Sequence, residues 1–304
     1  MSAKIVISFD FELGWGVLDS PLWRQRQNAG VYEKLRPVIK ELVDYFEENS
    51  VRTTWASVGA MFEKNTENIK TAHLPDGYRR DVEAFLANAD MHTWNALDIV
   101  DMLKDKPSIE VASHTYSHIY ASYPGTKLEH QLNDSQLSVD ILEDVFQRQM
   151  KSIIYPRDQI DFRSEIYEAL KLQYRINPSF FKQKGAVNRL LRGAKSFFVG
   201  VPQSEVYIGS KMECAQVGSL YFNWIGGKYE TIKKINLLLS LDKLKNQVKS
   251  ETGLYHIWLH PFNLTESSLV LEEFYKFIGD LLELQKKYQV EFLTMEDVRA
   301  EIKQ

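Results

Sequence analysis

The two histidines of Ser113-His114-Thr115-Tyr116-Ser117-His118 stand four residues apart. Read as a turn of helix, that spacing puts both imidazoles on one side. Such a pair can hold one metal ion if a third ligand arrives from elsewhere in the chain. A short run, Ile109-Glu110-Val111-Ala112, leads into the pair and reads as a buried strand, and residues 116–123 read as the turn leaving it. The histidines are then at the C-terminal end of a strand, where α/β enzymes gather their chemistry. An i, i+4 His pair alone fits two polar residues on a solvated loop as well as a site. Its partners decide the weight.

Three further stretches supply partners. In Ser8-Phe9-Asp10-Phe11-Glu12 the carboxylates are separated by one residue. On a strand they point the same way while Phe9 and Phe11 point the other, so one acid can bind a metal while the other acts as base. Gly14-Trp15-Gly16 follows but lacks the spacing of a dinucleotide fingerprint. In Ile154-Tyr155-Pro156-Arg157-Asp158, Arg157 at a strand end can clamp a carboxylate in bidentate fashion and so orient a catalytic Asp. In Tyr255-His256-Ile257-Trp258-Leu259-His260-Pro261, alternation places His256, Trp258 and His260 on one face. His260 is at the C-terminal end, where a general acid belongs, and His256 reads as a core histidine. His73, His92 and His130 have no partner motif and read as structural. Residues 169–204 contain no acidic side chain, and Lys182, Lys184, Arg189, Arg192 and Lys195 interleave there with aromatic and aliphatic residues. The stretch 180–198 fits a phosphorylated or lipid-linked substrate or a peripheral membrane contact. It fits equally a basic surface packed by its apolar side.

The elements that must carry these groups alternate. Strands are expected at 5–9, 51–58, 109–112, 153–155, 174–176, 197–201, 255–259 and 290–293, and helices at 31–46, 128–149, 165–172, 229–248, 269–288 and 295–302. Residues 60–107 exceed an ordinary connection and carry helical patterns, so a helical insertion after the second strand is expected. In the 128–149 helix, Leu132, Leu137, Ile141, Leu142 and Val145 are expected to face inward. Alternating strands and helices favour a parallel sheet. Polar groups at the ends of four strands spread along the chain fit a barrel mouth better than one switch point. No repeat or linker divides the 304 residues. The 44% hydrophobic and 26% charged content is that of a globular protein, and a net charge of −4 gives no reason to expect nucleic acid. One cysteine, Cys214, excludes an intrachain disulfide and a cysteine-based zinc site. No apolar run reaches the ~18 residues of a membrane span. No basic segment followed by a long apolar one precedes Lys4, so a cytoplasmic protein is expected.

The order of these motifs resembles the polysaccharide deacetylase (NodB-homology) family. Asp10/Glu12, the His114/His118 pair, Tyr155-Pro156-Arg157 and Leu259-His260 fall in that family's order, with Trp55-Ala56-Ser57-Val58-Gly59 and Phe292-Leu293-Thr294-Met295 also similar. The likeness implies a distorted (β/α)7 TIM-like barrel over a single domain, residues 1–304. It implies a divalent metal, Zn²⁺ above others, held by Glu12, His114 and His118. Asp10 is then the base, Arg157 its orienting partner and His260 the acid. The implied reaction removes an N-acyl group, acetyl first, from a free, nucleotide-linked or lipid-linked sugar serving a surface polysaccharide. Two departures stand out. The family's usual adjacent aspartates are here split by Phe11, and Arg157 follows Pro156 instead of preceding it. Deformylation of a formamido sugar and opening of a cyclic amide would use the same groups. Two His and one carboxylate also make the triad of an iron(II) oxygenase, and a non-catalytic carbohydrate-binding homologue is a further alternative.

Overall fold

The computed structural model describes residues 2–159, 163–176, 201–208, 214–225 and 228–302. The basic stretch 180–198 and nearly all of the strand expected at 197–201 lie outside them.

The sheet is built on β1 (Lys4–Phe11), which runs parallel to β2 (Thr53–Ser57) on one side and β9 (Leu254–Leu259) on the other. From β2 it continues in parallel through β3 (Ile109–Ser113), β4 (Ser152–Ile154) and β5 (Gln173–Ile176) to β7 (Cys214–Val217). The short β8 (Leu220–Tyr221) is parallel to β9. β7 and β8 are two halves of one passage. Gly218 N–H donates to Ile176 O at 2.9 Å, and Ser219 N–H to His256 O at 2.7 Å. The chain therefore leaves β5 and joins β9 within two residues, and the sheet returns to β1. Seven parallel positions go round, the distorted (β/α)7 arrangement expected. β6 (Val206–Ile208) is antiparallel to β7, and β10 (Glu291–Leu293) pairs with the first residues of β1.

The helices among the described residues are α1 (Leu22–Asn28), α2 (Val31–Glu48), α3 (Asp76–Leu86), α4 (Met91–Trp94), α5 (Val100–Leu103), α6 (Leu128–Phe146), α7 (Arg163–Leu170), α8 (Glu230–Ser250), α9 (Asn263–Glu266), α10 (Ser268–Tyr288) and α11 (Met295–Ile302). The expected insertion after β2 is α3 to α5 with short 3-10 turns. None of these helices is long and apolar enough to cross a membrane. The helix-facing sides of the strands are strongly apolar. Phe9 stacks on Trp55 at 4.3 Å between centroids and meets Phe46 of α2 and Phe274 of α10 at 6.0 Å. Burying a side chain of this size contributes about 1.5–3 kcal/mol.

The barrel's inside is polar at both ends. At the N-terminal end of the strands, Gln216 donates to Gln173 at 2.9 Å and Gln173 to Ser152 Oγ at 2.9 Å. Ser152 donates in turn to Glu110 Oε1, and Thr54 donates to Glu110 Oε2 at 2.8 Å. The start of α11 closes this belt, with Glu296 N–H donating to Glu110 Oε2 at 3.0 Å. A thin apolar layer, Val6, Ala56, Ala112 and Ile154, separates it from the strands' C-terminal ends. The expected inward residues hold in large part: Leu142 is buried and Leu137, Ile141 and Val145 are half-buried against the core. The fully buried face of α6, however, also carries Gln131, Asp134, Ser135 and Ser138 beside Val139 and Phe146. The helix turns this polar face inward because it holds the loop after β3.

Candidate metal centre and active site

His114 directly follows β3, and its N–H donates to Ser57 O at 2.9 Å. The segment 114–118 is not helical. Thr115 and His118 have φ of 62° and 63°, a tight left-handed path. That path, and not a helical turn, brings the imidazoles together, 5.1 Å apart between centroids. Asp134 of α6 holds the loop. Its Oδ2 accepts from Tyr116 N–H at 2.9 Å, and its Oδ1 accepts from Ser117 Oγ at 2.6 Å and meets His73 Nε2 at 2.7 Å. His73 is structural, as expected, but it braces the very carboxylate that shapes the loop.

Glu12 leaves the end of β1 to meet both imidazoles, its Oε2 standing 2.9 Å from His118 Nε2 and 3.3 Å from His114 Nε2. The three ligand atoms lie within 4.8 Å of one another, and all three residues are buried. Gly16 permits this, because a Cβ there would lie 1.9 Å from Glu12 Oε1. The arrangement fits a cation. His114 Nδ1 can only donate to the Ile154 carbonyl, 2.8 Å away, so Nε2 is the ring atom left to face the carboxylate and to bind a cation beside it. A buried carboxylate beside two ring nitrogens calls for positive charge, a proton or a cation, and a backbone-anchored Nδ1 is the usual support of a metal-binding imidazole. Burial pushes the Glu12 carboxyl up, but the imidazoles of His260, His118 and His114 outweigh it and hold it well below the usual carboxylate range.

Asp10, two residues earlier, meets Arg175 of β5. Nη1 and Nη2 of Arg175 donate to Asp10 Oδ1 and Oδ2 at 2.8 and 2.7 Å. The same guanidinium donates to Asp158 Oδ1 and Ser8 Oγ, each at 3.1 Å, and lies 4.4 Å from the Trp258 ring. Burial raises Asp10, and the Arg175 charge and hydrogen bonds more than reverse it, so Asp10 is held ionised. Arg157, the arginine expected on Asp10, is elsewhere. Its Nη2 donates to Asp19 at 2.9–3.0 Å, and it lies 3.7 Å from the Tyr120 ring. The clamp on Asp10 thus comes from β5 and not from the loop after β4. Arg175 was legible only as a charge inside the apolar run Tyr174-Arg175-Ile176, which is costly to bury without a partner.

His260 enters from the end of β9, with Nε2 3.5 Å from Glu12 Oε1. Its Nδ1 lies 3.0 Å from the Tyr221 hydroxyl. That hydroxyl accepts from Asn263 Nδ2 at 3.1 Å and from Asn223 Nδ2 at 3.3 Å. Asn223's orientation is fixed, since its Oδ1 accepts from Ile225 N–H at 2.9 Å. With two donors on its oxygen, the hydroxyl has its own proton to give, and His260 Nδ1 takes it. The proton on the imidazole is therefore on Nε2, facing the site. His256 is a core histidine, as expected. It meets Ser8 Oγ at 2.8 Å, and burial lowers its pKa to about 3.

Asp10, Glu12, His114, His118 and His260 line one cleft of about 260 Å³, together with Asp158, Tyr221 and Trp258. The family model for polysaccharide deacetylase matches residues 29–176. Over those residues the sequence is similar to that family, just under half of the chain. The match contains His114, His118 and Arg175, while Asp10, Glu12 and His260 lie outside it. It places the chain among hydrolases of non-peptide carbon–nitrogen bonds. Among solved structures, a Mycobacterium smegmatis protein assigned to the polysaccharide deacetylases is similar with a TM-score of 0.59 and 14% identity, over 99% of this chain and 90% of that one. A GH57-type branching enzyme from Pyrococcus horikoshii is similar at 0.56 and 12%, over 100% and 71%. The Puue allantoinase is similar at 0.53 and 13%, over 98% and 89%. At such identities the likeness is one of fold. No curated protein matches the sequence.

Proposed function

We propose that the chain is a metal-dependent hydrolase that removes an N-acyl group, acetyl first, from a sugar or sugar-containing precursor of a surface polysaccharide. The observation that carries this is the buried Glu12–His114–His118 cluster, flanked by an ionised Asp10 and by His260. Glu12, His114 and His118 would hold the ion, and an N/N/O set suits Zn²⁺. Bound there, the cation supplies Lewis acidity to an acyl carbonyl and makes water a nucleophile near neutral pH. Asp10 takes the attacking water's proton, and Arg175 keeps it charged and aimed. His260 offers its Nε2 proton to the departing nitrogen, which leaves poorly without one. A held base and an opposed donor serve hydrolysis, whereas oxygen activation has no use for the pair. The groups come from positions 10 to 260, which supports reading residues 1–304 as one catalytic domain.

The test is acetate and formate release across N-acylated sugars, sugar nucleotides and lipid-linked sugars. Acetate from at least one member is expected. Formate alone would make the chain a deformylase, and release from none would remove the hydrolase reading.

A further inference from the structure

The cleft holds two guanidinium groups that the acyl chemistry does not use. Arg26 of α1 and Arg157 after β4 both line it, and they are mounted alike. Arg26 lies 4.0 Å from the Phe262 ring, and its Nε donates to Glu266 Oε1 at 2.6 Å. Arg157 lies 3.7 Å from the Tyr120 ring, and its Nη2 donates to Asp19. Tyr120 donates to that same carboxylate at 2.7 Å. In each case the guanidinium lies over a ring and a carboxylate holds one nitrogen. A guanidinium has five N–H donors on three nitrogens, so both keep donors for a ligand. The two rings that seat them lie beyond different strands. Phe262 stacks on His260 beyond β9, while Tyr120 follows His118 beyond β3.

A neutral N-acyl sugar has no group that calls for two such forks. A phosphoryl group does, since planar, ring-mounted guanidinium groups suit bidentate recognition of its oxygens. The charges also give direction. Asp10 and Glu12, about 5% exposed, repel an anion from the floor of the cleft, while Arg157, 40% exposed, receives one at the rim. We propose that Arg26 and Arg157 bind the phosphoryl group of a phosphate-linked N-acyl sugar, directing its acyl group inward to the metal cluster. As a statement about substrate this rests on the deacylase reading above; as an anion site it does not. A nucleotide diphosphate and a polyprenyl phosphate both supply the chemistry.

Calorimetry with inorganic phosphate decides the site without turnover, using the full chain as purified and after removal of divalent ions. Wild type should bind. Arg26→Gln and Arg157→Gln should each weaken binding roughly ten- to hundred-fold, the usual worth of a charge-assisted contact. The Lys variants, which keep the charge and lose the fork, should fall between. Equal binding by wild type and both Gln variants, or none by wild type, overturns the proposal. Should Arg26→Gln fail to fold, the more exposed Arg157 carries the comparison alone. Turnover of one N-acyl sugar as its methyl glycoside, nucleotide diphosphate and short polyprenyl phosphate then identifies the source. A higher kcat/KM on either phosphate form, with the preference cut at least about tenfold in Arg157→Gln, supports the proposal and names the carrier. Equal kcat/KM on the methyl glycoside contradicts it. If none is deacylated, the hydrolase reading fails while the calorimetry still decides the anion site.

Discussion

Arg175→Met removes the guanidinium that Asp10 and Asp158 share, leaving two buried carboxylates facing each other. Four hydrogen bonds go with it, at 2.7 and 2.8 Å to Asp10 and at 3.1 Å to Asp158 and Ser8. Removing one partner of a buried ion pair costs about 3–5 kcal/mol, because the other charge is stranded. Asp10, whose two oxygens both lose their Arg175 donors, puts the variant in that range, against a total stability of about 5–15 kcal/mol. Met keeps much of the volume, so packing adds little. Arg157→Met should behave differently, since its pair with Asp19 is 40% and 20% exposed and such pairs contribute about 0–1 kcal/mol. Urea unfolding at pH 7 separates the two. Adding Asp158→Asn to Arg175→Met should restore part of the loss, because one acid of the pair is then neutral. Turnover should fall in Arg175→Met even where it stays folded, since burial pushes Asp10 up once the guanidinium is gone. A loss below about 1 kcal/mol for Arg175→Met, with a larger one for Arg157→Met, would refute the reasoning.

Burial raises Glu110 to about 7 against the hydrogen bonds from Ser152, Thr54 and Glu296. The folded chain thus keeps this proton to about pH 7 and the unfolded chain only to about 4.5, so the contribution is full below 4.5 and is lost as pH rises through 7. Glu110→Gln should gain roughly 2–3 kcal/mol on wild type between pH 5 and pH 8 by urea unfolding, and an unchanged difference would count against it. Tyr221→Phe should lower kcat about tenfold with KM unchanged. Nitrogen NMR should find the His260 proton on Nε2 in wild type and shared between nitrogens in the variant. A wild-type proton on Nδ1 would reverse the assignment. Asp10→Asn should keep its metal and lose most turnover, whereas Glu12→Gln should bind metal more weakly and be partly rescued by excess ion. Metal analysis finding the first empty and the second full would exchange the two roles.

The barrel was legible because its strands are short β-branched runs and its helices carry strong 3.6-residue patterns. Glu12, His114, His118 and His260 were legible because each closes such a run and because their spacings have few other uses. What the sequence hid depends on contacts between distant strands. Arg175 sits alone in β5, with its partners 17 and 165 residues away. Tyr221 lies in a two-residue strand with no periodicity to read. Asp134 lies in a helix whose aliphatic residues do pack against the core and so give no sign of the polar residues buried beside them. The His pair's spacing fits a helical turn, but a left-handed turn and not a helix brings its rings together.

Reversible metal dependence of amide hydrolysis tests the central claim most directly. The whole chain is stripped of divalent ions, assayed for acyl release from its best N-acyl sugar, and assayed again after Zn²⁺ or Co²⁺ is returned, with His114→Ala and His118→Ala in parallel. Activity should vanish on stripping and return with the ion. Neither variant should retain metal or activity, because two ligands are too few for a stable site. Full acyl release by a demonstrably metal-free preparation, or by either variant, would contradict it.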